Sequence, residues 1–122
     1  MQFIEETGFR VRPNRQEEFQ RWLADNEERI ARTYPDGTEY LGTFAVVFAS
    51  GKTASEYRTL ERLDSYAALD KLAALGKDPT TEYARVMREF VAFLDPDPNA
   101  PWSESLFKRA VDATIWDVPS AP

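Results

Sequence analysis

The chain has 122 residues, no cysteine and no histidine, and its 15 basic and 21 acidic side chains leave a net charge of −6. That length is typical of one domain, and a hydrophobic content of 43% can supply a packed core. The missing residue types exclude disulfides, thiolate or histidine metal sites, histidine-ligated haem and Ser-His-Asp or Cys-His catalysis. The acidic charge disfavours nucleic acid and anionic membranes as partners, because both are negatively charged.

The first residues, Met-Gln-Phe-Ile-Glu-Glu, lack the basic start and the apolar run of a signal peptide. No stretch of the sequence approaches the roughly 20 apolar residues of a membrane span. We therefore expect a soluble, cytoplasmic protein with a single domain over residues 1–122 and a flexible tail at 119–122. We expect it to use no cofactor and no metal.

Alternation of apolar and polar residues predicts a first strand over residues 2–11. The period then becomes helical from Arg15 to about Tyr34, and Asn14 is the expected N-cap of this helix. Turn residues separate the other predicted elements. A strand over 38–49 and a strand over 55–63 are joined by a hairpin turn at 50–52. Two helices follow, the first capped by Asp64 or Ser65 and closed by Gly76, the second opened by Asp78-Pro79 and continuing to Leu94. A surface loop over 95–101 then leads to a last strand over 107–118.

This order predicts an α+β fold of the ferredoxin-like βαββααβ type with a four-stranded antiparallel sheet. The strands predicted first and third along the chain lie in the middle of such a sheet. Helices cover one face of the sheet, whereas the chain has no further element to cover the other, which we call the far face.

The element order and three stretches of sequence resemble the dimeric α/β-barrel superfamily. The stretches are the strand leading into Pro13, the tryptophan-bearing helix segment 19–23, and residues 57–66, which run from a strand into a helix. The superfamily includes antibiotic-biosynthesis-monooxygenase-like proteins, muconolactone-isomerase-like proteins and small polyketide cyclases. Two open sheets face each other across a two-fold axis in these proteins, so the resemblance implies that a second copy covers the far face.

The resemblance further implies cofactor-independent oxygenation, isomerisation or cyclisation of a small aromatic compound, or haem degradation. Quinone-forming members use Asn and Trp side chains around the pocket, for which Asn26 and Trp22 are the counterparts here. Haem-degrading members and many cyclases use a histidine, and this chain has none. That departure argues against those two activities.

On the predicted central strands, Phe3, Phe9 and Leu63 point towards the helices. The same face carries a set of polar side chains, namely Glu5, Thr7, Tyr57, Thr59 and Glu61. Polar groups inside a core are costly unless they are paired, and burial raises the pKa of a carboxyl group towards the neutral range that a general base requires.

Trp22 and Asn26 on the first helix are expected to face these polar groups, which predicts a pocket for a small apolar or aromatic ligand. The candidate catalytic residues are Glu5, Asn26, Tyr57 and Glu61, and the candidate ligand-binding residues are Thr7, Trp22, Asn26 and Thr59. The structural alternatives are that Glu5 and Glu61 pair with Arg or Lys and that Trp22 belongs to the core.

The far face carries mainly charged residues on the predicted strands. They are Glu6, Arg10, Arg58, Arg62, Lys108 and Asp112, with Thr114, Leu60 and Trp116 among them. We expect a homodimer interface at Leu60, Arg58, Arg62 and Trp116. The alternatives are the solvated face of a monomer, and an anionic substrate held by Arg58 and Arg62.

Two classes of function fit these features. The first is a cofactor-independent monooxygenase, isomerase or cyclase that acts on a small aromatic or polyketide-like compound, with Glu5 or Glu61 as the base and with Asn26 and Tyr57 orienting the substrate. The second is a non-catalytic ligand-binding or homodimeric interaction module. The lack of histidine disfavours the enzyme, whereas polar residues directed into the core favour it.

Overall fold

A computed structural model describes residues 2–50 and 56–111. The helices and strands follow the predicted order, which confirms the α+β fold of type βαββααβ. They are β1 (Phe3–Phe9), α1 (Gln16–Thr33), β2 (Thr38–Ala45), β3 (Tyr57–Leu63), α2 (Ala68–Lys77), α3 (Glu82–Val91) and β4 (Ser103–Lys108). Within the described residues, none of the helices combines the length and the apolar character needed to cross a bilayer.

The strands form one antiparallel sheet in the order β2-β3-β1-β4. In the central pair, Phe3 lies opposite Leu63 and Phe9 lies opposite Tyr57. All four side chains are buried, because the helices pack against this face. The predicted assignment of these residues to the helix-facing side is therefore confirmed.

Two apolar clusters hold the helices on the sheet. The larger cluster joins β1 and β3 to α1 and α3, with Phe19, Ile30 and Val86 fully buried in it. The smaller cluster consists of Phe3, Leu63, Ala68 and Leu72 and fixes α2. Tyr34, directly after α1, packs against both clusters.

The start of α1 differs from the prediction. Asn14 has a φ of 66°, and the residue that precedes the helix is Arg15, which makes no side-chain capping bond. Asn14 is therefore not the N-cap. Its short polar side chain tolerates the left-handed conformation, which here belongs to a turn closed by the hydrogen bond from the Arg15 amide to the Arg12 carbonyl, at 3.1 Å.

The other two helices also begin later than predicted. Ala67, and neither Asp64 nor Ser65, precedes α2, because a turn closed by the hydrogen bond from the Ala68 amide to the Ser65 carbonyl, at 3.1 Å, comes before the helix. Gly76 lies inside α2 rather than closing it. The cap of α3 is Thr81, whose hydroxyl accepts the Ala84 amide at 3.1 Å.

Asp78 does not open α3. Its side chain instead accepts the amide and the hydroxyl of Thr80, at 3.0 and 2.7 Å, in the turn before that helix.

The last strand begins earlier than the predicted start at residue 107. Its sequence places exposed polar side chains at Glu104 and Ser105, so alternation of hydrophobicity is weak there. Lys108 lies opposite Phe3 and thus shares the helix-facing side, contrary to the prediction, while Phe107 takes the far face beside Ile4. Most of the predicted hairpin turn at 50–52, the stretch from Asp112 to Val118 and the tail at 119–122 lie outside the described residues.

Two glycines offer a matched test of the fold. Gly42 has a φ of 140° beside a bulge in β2, and an added Cβ would lie 3.1 Å from the Phe44 ring, whereas a Cβ on Gly76 would lie 3.6 Å from the Tyr83 ring in ordinary contact. We expect Gly42→Ala to lower the free energy of unfolding by about 1–3 kcal/mol. Gly76→Ala should leave it unchanged or raise it by up to about 1 kcal/mol, since alanine favours a helix. Urea denaturation of both variants measures the difference, and equal effects would contradict the strained geometry at Gly42.

Candidate functional site

A band of polar side chains crosses the helix-facing side of the sheet between the two apolar clusters. We call it the polar strip and define it by Glu5, Thr7, Thr43, Thr59 and Glu61. Two cross-strand pairs on the central strands form most of the strip: Glu5 lies opposite Glu61 in the first row, and Thr7 lies opposite Thr59 in the second. Thr43 extends the second row onto β2.

The two glutamates form a carboxyl pair in direct cross-strand register, where Cβ atoms are typically about 5 Å apart. Burial and the neighbouring charge of Glu5 raise the pKa of Glu61 to about 7, although a hydrogen bond with Tyr34 partly opposes this rise. Burial, followed by the charge of Glu104, raises the pKa of Glu5. Two like charges at this separation repel each other, so the pair holds a proton more readily than an exposed glutamate does.

The Oε2 atom of Glu61 is buried and has no hydrogen-bond partner. Among the ion pairs of residues 2–50 and 56–111, none includes Glu5 or Glu61. The expected alternative, in which Arg or Lys neutralises these carboxylates, is therefore not found in that part of the chain. A buried acceptor atom without a partner is rare in folded proteins and calls for a proton or a ligand.

Two tyrosines from the helical layer adjoin the carboxyl pair. Burial and the Glu61 charge raise the pKa of Tyr83 to about 12 and raise the pKa of Tyr34 well above its ordinary value. Their rings meet edge to face, with 5.6 Å between centroids. Both residues fall on the apolar stripes of their helices, a pattern that predicts core positions and gives no sign that they lie beside the acids.

A chain of hydroxyl groups links α1 to the other end of the polar strip. The Tyr40 hydroxyl donates to Glu27 Oε2 at 2.9 Å and lies 2.8 Å from Thr43 Oγ1, which in turn lies 2.8 Å from Thr59 Oγ1. As one of the many charged residues of the first helix, Glu27 is expected from the sequence to lie on a solvated surface. Its position four residues after Leu23 and three before Ile30 is the signal that could have placed it on the sheet-facing side.

The structure places Trp22 and Asn26 away from the strip, where α1 meets α3. The indole nitrogen of Trp22 donates to Glu89 at 3.1 Å, and its ring packs against Phe90. The Asn26 amide donates to the Trp22 carbonyl at 2.8 Å and accepts from Arg29 at 3.3 Å. The amide that interrupts the apolar stripe is thus satisfied within its own helix, and these contacts do not bring it to Glu5 or Glu61.

Tyr57 is a core residue rather than part of the strip. Its side chain is 4% exposed, stacks on Phe9 with 5.8 Å between ring centroids, and accepts a hydrogen bond from Gln20 at 3.2 Å. The structure therefore brings together Glu5, Glu61, Thr7 and Thr59 of the predicted site residues. Tyr57 occupies the next row of the same face but packs into the larger apolar cluster, and Trp22 and Asn26 lie between α1 and α3.

The far face carries cross-strand ion pairs and an apolar patch, which we define by Phe44, Val47, Phe48 and Leu60. Arg58 pairs with Glu6 at 3.1 Å, and Arg62 pairs with Glu39 at 2.9 Å as well as with Asp64. Beside them is an open cavity of about 460 Å³. Its lining residues include Phe44, Val47, Phe48, Arg58 and Leu60. Trp116, the remaining predicted interface residue, lies outside the described residues.

The far-face patch exposes more apolar surface than a solvated sheet face needs, since Val47 is 98% and Phe48 is 87% exposed. In the described part of the chain no group of three or more acidic side chains is arranged to hold a metal ion.

Solved structures share this architecture at low sequence identity. A NIPSNAP family protein from Agrobacterium tumefaciens superposes with a TM-score of 0.64 and 10% identity, covering 93% of this chain and 97% of its own. An uncharacterised NIPSNAP domain protein from Burkholderia xenovorans gives 0.62 and 15%, covering 93% and 99%. A dimeric ferredoxin-like protein of unknown function from Jannaschia gives 0.61 and 14%, covering 89% and 100%.

The chain has the ferredoxin-like fold. No family model matches the sequence, and no curated protein matches it. Likeness at these identities establishes the fold alone, because one fold serves many unrelated activities. The function must therefore be argued from the polar strip and the far face.

The carboxyl pair predicts an unusual dependence of stability on pH. Because the folded pKa of Glu61 is about 7 and its ordinary value is 4.5, the folded state binds a proton that the unfolded state releases between these pH values. Its stabilising contribution is therefore complete below about pH 4.5 and is lost as the pH rises through 7. We expect Glu61→Gln to remove a decline on the order of 2–3 kcal/mol in the free energy of unfolding between pH 5 and pH 8.

Urea denaturation at several pH values measures this decline. Glu17→Gln is the matched control, because Glu17 is exposed in the first turn of α1. A decline of the same size in wild type and in Glu61→Gln would show that another group titrates.

Proposed function

We propose that the polar strip binds a small aromatic or polyketide-like compound and that Glu61 exchanges a proton with it. The observation that carries this proposal is the buried, unpartnered Oε2 atom of Glu61 beside Glu5. A carboxyl group with a pKa near 7 is matched to taking and returning a proton at neutral pH. Isomerisation, cyclisation and cofactor-independent oxygenation each begin with such a transfer from a weakly acidic C–H or O–H group.

Several neighbours support this role. Glu61 as a carboxylate takes the proton from the ligand, and Tyr34, which is hydrogen-bonded to it, holds the carboxylate in place. The ring of Tyr83 provides an apolar surface for an aromatic ligand near the pair. Thr7 and Thr59 are half-buried, and Glu104 at the edge of the same row is exposed, so the strip is open on the β4 side.

The resemblance to antibiotic-biosynthesis-monooxygenase-like and muconolactone-isomerase-like proteins supports the same class of chemistry. The strip departs from that pattern, because Asn26 and Trp22 contact neighbouring helix groups. We therefore assign the chemistry to Glu61 and Glu5, with Thr7 and Thr59 in contact with the ligand, and leave Asn26 and Trp22 a structural role.

Ligand screening tests the proposal. Native mass spectrometry and NMR titration with quinols, naphthols and cyclic β-diketones should reveal at least one compound that binds wild type. Incubation of a bound β-diketone in D₂O should show deuterium exchange at its acidic carbon above the buffer rate, because Glu61 removes that proton. Glu61→Gln should lower the catalysed exchange at least about 100-fold, the usual contribution of a general base.

Glu17→Gln should behave as wild type in the same assay, because its carboxylate lies on the exposed side of α1. Exchange that persists in folded Glu61→Gln would rule out this carboxylate as the base. Binding without any exchange would favour the alternative, a non-catalytic ligand-binding protein.

We propose in addition that the far face joins two copies of the chain in a homodimer. The exposed apolar side chains beside Leu60 carry this second proposal, because burying them needs a partner. The Jannaschia protein of the same fold is described as dimeric. The Arg58–Glu6 pairs lie beside the patch and supply complementary charge on each copy, as a two-fold interface requires.

Light scattering tests the dimer. Wild type should have twice the monomer mass at tens of micromolar, a typical range for a specific dimer, and Leu60→Arg should be monomeric because a buried unpaired charge is costly. Val91→Arg is the matched control, since Val91 is 56% exposed on α3, away from the sheet. A monomeric wild type, or a Leu60→Arg variant that remains dimeric, would place the interface elsewhere or remove it.

A further inference from the structure

The hydroxyl chain that ends at Thr59 has a direction. Its first member, Glu27 Oε2, accepts the backbone amide of Thr43 at 3.3 Å, and an amide nitrogen can only donate. The same oxygen accepts the Tyr40 hydroxyl at 2.9 Å. Since a carboxylate only accepts, the single hydroxyl proton of Tyr40 is directed to Glu27.

That assignment decides the next two hydrogen bonds. Tyr40 has no proton left to donate, so its oxygen accepts from Thr43 across 2.8 Å. Thr43 has then used its own proton, so its oxygen accepts from Thr59 across 2.8 Å. A carboxylate on α1 thus orients three hydroxyl groups on two strands in one sense.

The last hydroxyl group of this series, that of Thr59, can accept a hydrogen bond but receives none from the described residues. Thr59 gives its only proton to Thr43, and among the hydrogen bonds of residues 2–50 and 56–111 none is donated to Thr59 Oγ1. Thr59 is half-buried in the polar strip, beside Thr7 in the same row and two positions along β3 from Glu61. The lone pairs of Thr59 and the carboxylate of Glu61 therefore belong to one strip.

We propose that Glu27, acting through Tyr40 and Thr43, fixes Thr59 as a hydrogen-bond acceptor that selects ligands with a hydroxyl donor and discriminates against their methyl ethers. This inference rests on the proposed function of the same site, because it assumes that an aromatic ligand occupies the strip. It specifies the ligand class as phenols and enols. Thr59 contacts the ligand, whereas Glu27, Tyr40 and Thr43 are positioning residues.

Paired probes measure the selectivity. Wild type should bind 2-naphthol roughly five- to tenfold more tightly than 2-methoxynaphthalene at pH 7, the ratio expected for one hydrogen bond between neutral groups. Thr59→Val keeps the shape of the side chain but removes the acceptor, so the ratio should fall to about one through weaker naphthol binding. Thr59→Ser restores a hydroxyl and should retain the ratio. Thr33→Val is the matched control, because the Thr33 hydroxyl donates within α1 to the Ile30 carbonyl.

Glu27→Leu tests the direction of the hydroxyl series. Leucine offers no acceptor, so the Tyr40 hydroxyl is free to donate to Thr43, Thr43 can donate to Thr59, and the proton of Thr59 becomes available to a ligand. The ether should then bind more tightly than it binds wild type, and the ratio should fall towards one. Glu27→Gln should keep the ratio, because its amide oxygen can take the place of the one carboxylate oxygen that accepts both Tyr40 and the Thr43 amide. Glu28→Leu, at the exposed neighbour on the same helix, should leave the ratio unchanged.

The possible outcomes separate this inference from the proposed function. A ratio that persists in Thr59→Val or in Glu27→Leu, together with ligand binding, overturns the inference and leaves the proposed function standing. A wild type that binds naphthol and its ether equally, or binds only other compounds of the screen, also overturns the inference alone, whereas a wild type that binds none of the quinols, naphthols and β-diketones overturns both. Neutron diffraction of the deuterated protein tests the direction without a ligand: a deuteron on Thr59 Oγ1 directed at Thr43 supports the inference, and one on Thr43 directed at Thr59 overturns it.

Discussion

Two carboxyl groups face each other across the central strands, and the helical layer buries them in part. Desolvation and mutual repulsion make this arrangement costly, so the apolar clusters on either side must stabilise it. Phe3 and Leu63 fix the register at one end of the pair, and Phe9 and Tyr57 fix it at the other. A slip of one residue would move Glu5 and Glu61 to the far face and destroy both cores. The packing that stabilises the fold therefore also holds the site in place.

The polar strip is organised by contacts from outside the sheet. On one side Tyr34, at the end of α1, reaches the carboxyl pair, and on the other Glu27 from the same helix reaches Tyr40 and Thr43. One helix thus contributes a hydrogen bond to the carboxyl pair at one end of the strip and sets the hydrogen-bond direction at the other. The bulge beside Gly42 matters here, because it brings Tyr40 and Thr43 to the same side of β2 within hydrogen-bonding distance.

The two faces of the sheet suit different partners. The helix-facing side offers acceptor oxygens and aromatic rings in a partly enclosed strip, which suits a small neutral ligand with a donor group. The far face offers exposed Phe44 and Phe48 beside balanced ion pairs, which suits a protein surface of the same kind. Any dimer formed there would cover the sheet opposite the strip, so ligand binding and association need not compete for the same side chains.

The sequence by itself determined the order of elements and the helix-facing position of Glu5, Thr7, Thr59 and Glu61, because a period of two fixes which side chains share a face. The residue-by-residue register of the central strands came from the structure. The sequence misplaced the starts of α2, α3 and β4, where local turns decide the boundary. Only the tertiary structure decided what meets the strip. The orientation of α1 about its axis directs Glu27 and Tyr34 to the sheet and directs Trp22 and Asn26 to α3. Hydrophobic periodicity does not determine this orientation for residues at the edge of an apolar stripe.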